Sequence, residues 1–401
     1  MSLNRRGFLR LLLSVGSVAA VTSFLESCAP KGDNVALNPT SPTAAPSLTS
    51  APTTAPSATP AATATTAPTA TTAPTATTAP TATTATAPTT VVTPTTAASG
   101  NAQVVLVKTR DRAAGVKRAL ELLNIDPVQQ KTVFLKPNFN SADPTPGSTH
   151  PDTLRALVEA LWGMGARSIT LGDRSGMGNT RDVLTRRGVF DLGRELNFQT
   201  LVLDELPRNE WALVQPQGSH WQQGFPMARP CLACDAVVQT CCLKTHRFGG
   251  HFTLSLKNSV GLVGKYVPGN SYNYMNELHG SPHQRRMIAE INAMYQPAII
   301  VMDGVEAFVN GGPDTGKKVW SEAILAATDR VALDAVGVAI LRMFGTTPEV
   351  SNGRIFALDQ IARAAEMGVG VDGPQRIDIV TGDPDSEAYA AQIRDVLQRE
   401  G

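Results

Sequence analysis

The chain has 401 residues, with 35 Lys and Arg against 34 Asp and Glu, a formal net charge of +1. Four of the basic and two of the acidic residues precede residue 34, which leaves 31 basic against 32 acidic and argues against a nucleic-acid binder. Aromatic residues make up 5%, which argues against a base-stacking surface, and no apolar run after residue 100 is long enough to cross a bilayer.

The first 28 residues read as an export signal: a basic start, an apolar run over 11–25, then a small-residue site. Asn4-Arg5-Arg6-Gly7-Phe8-Leu9-Arg10 resembles the twin-arginine translocation motif, with Asn where Ser or Thr is usual and Arg where Lys is usual. Leu25-Glu26-Ser27-Cys28 resembles a bacterial lipobox, with Glu26 at a position that is normally small and uncharged. The expected partners are therefore the twin-arginine export machinery and the membrane, reached through a lipid on Cys28 or through the signal itself. The expected address is the outer side of the cytoplasmic membrane or the periplasm. From residue 34 to residue 107 there is no charged side chain, and TTAPTA occurs three times over 65–82. Such a Thr/Ala/Pro stretch has no hydrophobic period and cannot bury a core, so a disordered tether is expected over 29–100. An α/β domain is expected over 101–401.

In that domain short apolar runs alternate with amphipathic stretches. Strands are expected over 104–107, 132–135, 168–171, 200–203, 236–240, 298–302 and 376–380. Helices are expected over 112–123, 151–164, 180–187, 331–344, 353–365 and 386–399. The alternation predicts a layered, mostly parallel sheet with helices on both faces. Four polar motifs fall at expected strand ends: Lys136-Pro137-Asn138, Gly172-Asp173, Lys244-Thr245-His246 and Asp303-Gly304. Ligands of open parallel sheets bind at the carboxyl ends of the strands, so the four motifs are candidates for one crevice.

KPN at 136–138, GDRSG at 172–176, CLKTH at 242–246, SLKNSVGLVGK at 255–265 and DGVEAFVNGGPDTG at 303–316 together resemble domain-of-unknown-function family 362. The resemblance runs from about Val104 to Ala365. It strengthens the domain assignment and the site residues and leaves the reaction open. Some members carry a ferredoxin-like cysteine module, a run this chain lacks. The first part of the family is also loosely similar to nickel-dependent lactate racemases, a likeness that transfers no chemistry.

Lys136, Lys244 and Lys257 supply positive charge, and Asn138 and Asn258 supply amides, a set suited to a small anionic ligand carrying a carboxylate or phosphate. Gly261 and Gly264 let backbone approach such an anion. Asp173, His246 and Asp303 are the candidates for proton transfer or for holding a divalent cation. Among the histidines His246 comes first because it belongs to the KTH motif. The loop Gly311 to Gly316 is expected to be flexible, and Asp329 and Asp334 to serve the start of a helix. Cys231, Cys234, Cys241 and Cys242 lie within twelve residues. They are open to three readings: a disulfide or buried thiols, a zinc or iron–sulfur centre, or a reactive thiol. Three functions follow: an exported, tethered enzyme for a small anion; a redox protein with a metal on the 231–242 cysteines; and a non-catalytic ligand-binding lipoprotein.

Overall fold

The structure is a computed structural model and describes residues 100–401. The signal-like segment, Cys28 and the Thr/Ala/Pro repeats lie outside the described residues.

β1 (Ala102–Lys108) alternates as a strand buried on both faces must: Val104 and Leu106 enter one core, Val105 and Val107 the other. α1 (Arg112–Leu123) starts at Asp111, whose carboxylate accepts from Ala114 N at 3.0 Å. β2 (Thr132–Lys136), α2 (Pro151–Gly163) and β3 (Ser168–Asp173) follow. His150 caps α2 through Nδ1, with Pro151 as the first helical residue. α3 (Thr180–Arg186), α4 (Val189–Glu195) and β4 (Gln199–Val202) complete the first half.

The next stretch holds β5 (Trp211–Val214), β6 (Phe225–Ala228), α5 (Arg229–Ala233), β7 (Ala236–His246) and β8 (His251–Thr253). α6 (Ser255–Asn258), α7 (Tyr274–Gly280) and α8 (Gln284–Ile291) come after it. The chain ends with β9 (Pro297–Gly311), β10 (Gly316–Ala327), α9 (Arg330–Met343), α10 (Pro348–Ser351), α11 (Asp359–Glu366), β11 (Ile377–Val380) and α12 (Pro384–Glu400).

Across the described residues nine strands form one sheet in the order β11-β1-β10-β9-β7-β2-β3-β4, with β8 paired to β7. β10 runs antiparallel to β1 and β9, β8 runs antiparallel to β7, and the other neighbours are parallel. The sheet is therefore mostly parallel, as expected. α1, α2 and α3 pack on one face, and α9, α11 and α12 pack on the other. A third core, built on Trp211, Trp221, Phe225 and the apolar faces of α7 and α8, covers β2 and β7 beside the α9 layer.

Five local expectations change. β7 does not stop near residue 240: it continues through His246, buried throughout, because Lys244 and His246 pair with Thr253 and His251 of β8. β9 likewise runs on through Asp303 and Gly304 into a hairpin with β10, so neither motif begins a loop. The loop from Gly311 to Gly316 is the turn of that hairpin, held by Gly312 N donating to Thr315 O and by an Arg247–Asp314 ion pair at 2.7 Å. The helix expected over 353–365 begins only at Asp359, after a single 3₁₀ turn at Ile355–Ala357. Asp329 caps α9 as expected, whereas Asp334 reaches across to α6.

Candidate functional site

β2 and β3 end side by side, so Lys136 and Asp173, the last residues of each, meet at the carboxyl edge of the sheet. Their side chains are 1% and 2% exposed, and Lys136 Nζ lies 2.7 Å from Asp173 Oδ1. Lys136 also donates to Pro137 O at 2.6 Å and to Asn258 Oδ1 at 3.2 Å. Asp173 accepts from the backbone N–H of Phe139 (2.8 Å) and of Arg174 (2.7 Å). Burial pulls Lys136 down and Asp173 up from their ordinary values, against their mutual attraction. Gly261 is required here: a β-carbon on it would stand 2.5 Å from Asp173 Oδ1 and 2.8 Å from Lys136 Nζ.

Asn258 knits the two neighbouring strands together. Its Oδ1 accepts from Asn138 Nδ2 at 3.2 Å, and its Nδ2 donates to Thr240 O at 3.2 Å. Lys244, fully buried in β7, donates to Asn138 Oδ1 at 2.8 Å and to Gly147 O. The SLKN turn that carries Lys257 and Asn258 is anchored from below by Asp334 of α9. That carboxylate accepts from Ser255 N (2.8 Å) and Leu256 N (3.0 Å). Burial raises Asp334 to about 7.

Above this paired floor opens a cleft of about 530 Å³. Its lining includes Asn140, Arg174, His246, Lys257, Met275 and His279, and a small inner recess continues from it to Lys136, Asn138 and Asn258. Arg174 is held rigidly: it donates to Val263 O (2.7 Å), Val260 O (2.8 Å) and Ser175 O (3.2 Å). The side-chain ammonium of Lys257 makes no hydrogen bond or ion pair among the described residues. Burial and the neighbouring Lys244 and Arg174 bring its ammonium down to about 7. His246 is 6% exposed, and its Nδ1 is buried without a partner. Burial and the nearby Lys257 hold it well below its usual value, so its ring is neutral. The same causes bring His279 to about 4. Asn140 Nδ2 and Thr253 Oγ1 are two further buried atoms without a partner. The balance of charge is one-sided. Asp173 answers Lys136, while Lys244, Arg174 and Lys257 form no ion pair among the described residues.

The structure therefore gathers Lys136, Asn138, Asp173, Lys244, His246, Lys257 and Asn258 around one recess. Asp303 stands apart. It accepts from Arg112 Nε (2.9 Å) and Thr153 Oγ1 (2.7 Å) on the face covered by α1 and α2. The four cysteines diverge as well. Cys231 packs in the Trp-rich core, Cys241 under α9, and Cys242 lies buried beside Lys244 and Asp303; Cys234 is partly exposed. All four are free thiols, and among the described residues no group of three or more His, Cys, Asp or Glu is arranged to hold a metal ion. Burial raises each thiol, Cys242 to about 11.

Sequence reasoning missed Arg174, Asn140 and His279. Arg174 follows Asp173 within GDRSG, and the strand-end argument that selected Asp173 applies equally to it. Asn140 lies two residues beyond Asn138. No pattern announces His279, which sits in a short helix beside the buried face of Tyr274, Met275 and Leu278 and outside every motif.

Residues 133–339 match the family described as Domain of unknown function (DUF362), and the chain belongs to that family. A thylakoid-associated protein of Synechocystis sp. (strain ATCC 27184 / PCC 6803 / Kazusa) is 24% identical over 216 residues, 53% of this chain and 63% of that protein. The match thus spans less than two thirds of the relative's length. The lactate racemase apoprotein from Thermoanaerobacterium thermosaccharolyticum superposes with a TM-score of 0.37 and 15% identity, over 61% of this chain and 58% of its own. Among the described residues no helix is long and apolar enough to cross a membrane.

Proposed function

We propose that the folded part binds a small anionic ligand, carrying a carboxylate or phosphate, in the cleft above Lys136 and Asp173. One observation carries this reading: Arg174 and Lys257 line the cavity, Lys244 lies buried beneath it, and none of the three cations forms an ion pair among the described residues. Buried charge is costly unless paired, so a ligand that brings the missing negative charge relieves that cost on binding. Arg174 and Lys257 face the anion, Lys244 adds field from beneath, and Asn140 and His246 offer the directional contacts. His246 serves as the proton-transfer group in any reaction there, and Asp173 keeps Lys136 in place.

Thermal unfolding with acetate or inorganic phosphate, at ionic strength matched with chloride, tests the reading. A saturable rise in Tm is expected in the parent protein, with at least about a tenfold loss of affinity in Lys257→Met. Equal response to chloride, acetate and phosphate would defeat it.

The twin-arginine-like start and the lipobox-like Cys28 support a second part of the reading, that the chain is exported and tethered by a lipid. Cell fractionation checks this. The parent protein belongs with the membranes, Cys28→Ala is released from them, and replacing Arg5 and Arg6 by Lys leaves the protein inside the cell.

A further inference from the structure

We infer that Lys257 is a nucleophile that forms an imine with the carbonyl carbon of a small 2-oxo acid. The inference rests on the anion-binding reading and narrows its ligand to an anion with an adjacent carbonyl.

The lysines of the site differ in what holds them. Lys136 is tied to Asp173, Pro137 O and Asn258, and Lys244 to Asn138 and Gly147 O. Both are sealed in, at 1% and 0% exposure. Lys257 alone of the three lines the open cleft, reaches partial exposure, and has no partner among the described residues. A lysine kept only for charge gains from a carboxylate or carbonyl beside it; a lysine kept for its lone pair must have none.

The neighbours complete the requirement. Gly250 leaves room for Lys257 and His246 to crowd one point: a β-carbon there would stand 2.5 Å from Lys257 Cε and 2.9 Å from His246 Nδ1. That ring nitrogen is buried without a partner, beside the amine. Asn140 Nδ2, equally without a partner, and Arg174 line the same recess and suit the carboxylate of the ligand. Asn140, His246 and Thr253, each with a buried polar atom that lacks a partner, thus line one recess together with the unpaired amine of Lys257, and a 2-oxo acid brings groups for the amide, the ring and the amine. Its carboxylate goes to Asn140 and Arg174, its oxo carbon to Lys257, and its oxo oxygen to His246.

The chemistry balances without a further reagent. The free amine of Lys257 attacks the oxo carbon, and its proton passes by way of His246 to the oxo oxygen, giving a carbinolamine. The C–O bond then breaks, water leaves with a second proton from nitrogen, and the C=N bond forms. Nearby cations that keep the amine unprotonated near neutral pH are a recognised way of activating such a lysine, and burial adds to the effect here.

The test uses the full chain in mild detergent, with glyoxylate or pyruvate as the probe and sodium borohydride to reduce any imine to a stable amine. Peptide mass spectrometry is expected to find one adduct, on Lys257, at least about tenfold above any other lysine, with the yield rising from about pH 6 to about pH 8. Lys257→Arg keeps the charge and loses the adduct, while acetate still raises its Tm. Absence of a Lys257 adduct with both oxo acids, or an even spread over surface lysines, overturns the imine. If acetate and pyruvate nonetheless raise Tm equally, the anion-binding reading stands without it. If neither raises Tm, both fall together.

Discussion

Two clusters of buried charge lie near the same edge of the sheet, and they are finished differently. On the face under α1 and α2, Arg112 pairs with Asp303 at 2.9 Å and Glu306 at 3.0 Å, and Lys318 closes on Glu306 at 2.6 Å. Two cations meet two carboxylates, and Asp303 fills its remaining capacity with Thr153 and Val305 N. In the cleft the cations outnumber the carboxylates, and three buried polar atoms, on Asn140, His246 and Thr253, lack partners. The residue types are alike, so type alone does not separate structure from function. What separates them is whether the pairing is complete. A closed cluster spends its charge on the fold, and an open one leaves charge for something that arrives from solution.

The largest effect expected is on the closed cluster. Arg112→Ala strands the fully buried Asp303, while Glu306 keeps Lys318, and should cost about 3–5 kcal/mol in chemical denaturation, with acetate affinity unchanged. A loss below about 1 kcal/mol would show that the cluster is open to water and that the contrast is misdrawn. In the open cluster the sign reverses. Lys257→Met removes an unanswered charge and should stabilise the ligand-free protein.

That gain depends on pH. The folded-state value of Lys257, about 7, lies below its ordinary 10.5. The unfolded chain therefore binds the extra proton between those values, and parent stability rises with pH across that window. The advantage of Lys257→Met is greatest below about pH 7 and fades toward pH 10.5, as urea titrations at several pH values would show. The anion itself should bind best below about pH 7, where Lys257 is charged, and Lys257→Met should flatten that profile. The smallest effect concerns the thiols. Cys234 is the partly exposed one and should react alone with a thiol reagent in the folded protein, with no measurable change in Tm. Fast reaction of Cys231, Cys241 or Cys242 would mean that their cores open.

Much of the site was legible in advance because β2 and β3 end where the apolar run ends: Lys136 follows Leu135 directly, and Asp173 follows Leu171 after one glycine. The same reasoning misplaced Lys244 and Asp303. The ladder continues past them through partners, β8 and β10, whose pairing no local pattern reveals. Asp303 looked equivalent to Asp173, and only the arrival of Arg112 from 191 residues away makes it a structural anion.

By itself the sequence determined the alternation of strands and helices, the mostly parallel sheet and the family, since these depend on apolar periodicity and on motifs read along the chain. Tertiary structure decided which charges are answered. An ion pair or a hydrogen bond needs two groups within a few ångströms, and here the partners are far apart in sequence: Arg112 and Asp303 by 191 residues, Lys136 and Asn258 by 122. Strand order and crossovers alone bring such groups together, or leave Lys257 with none.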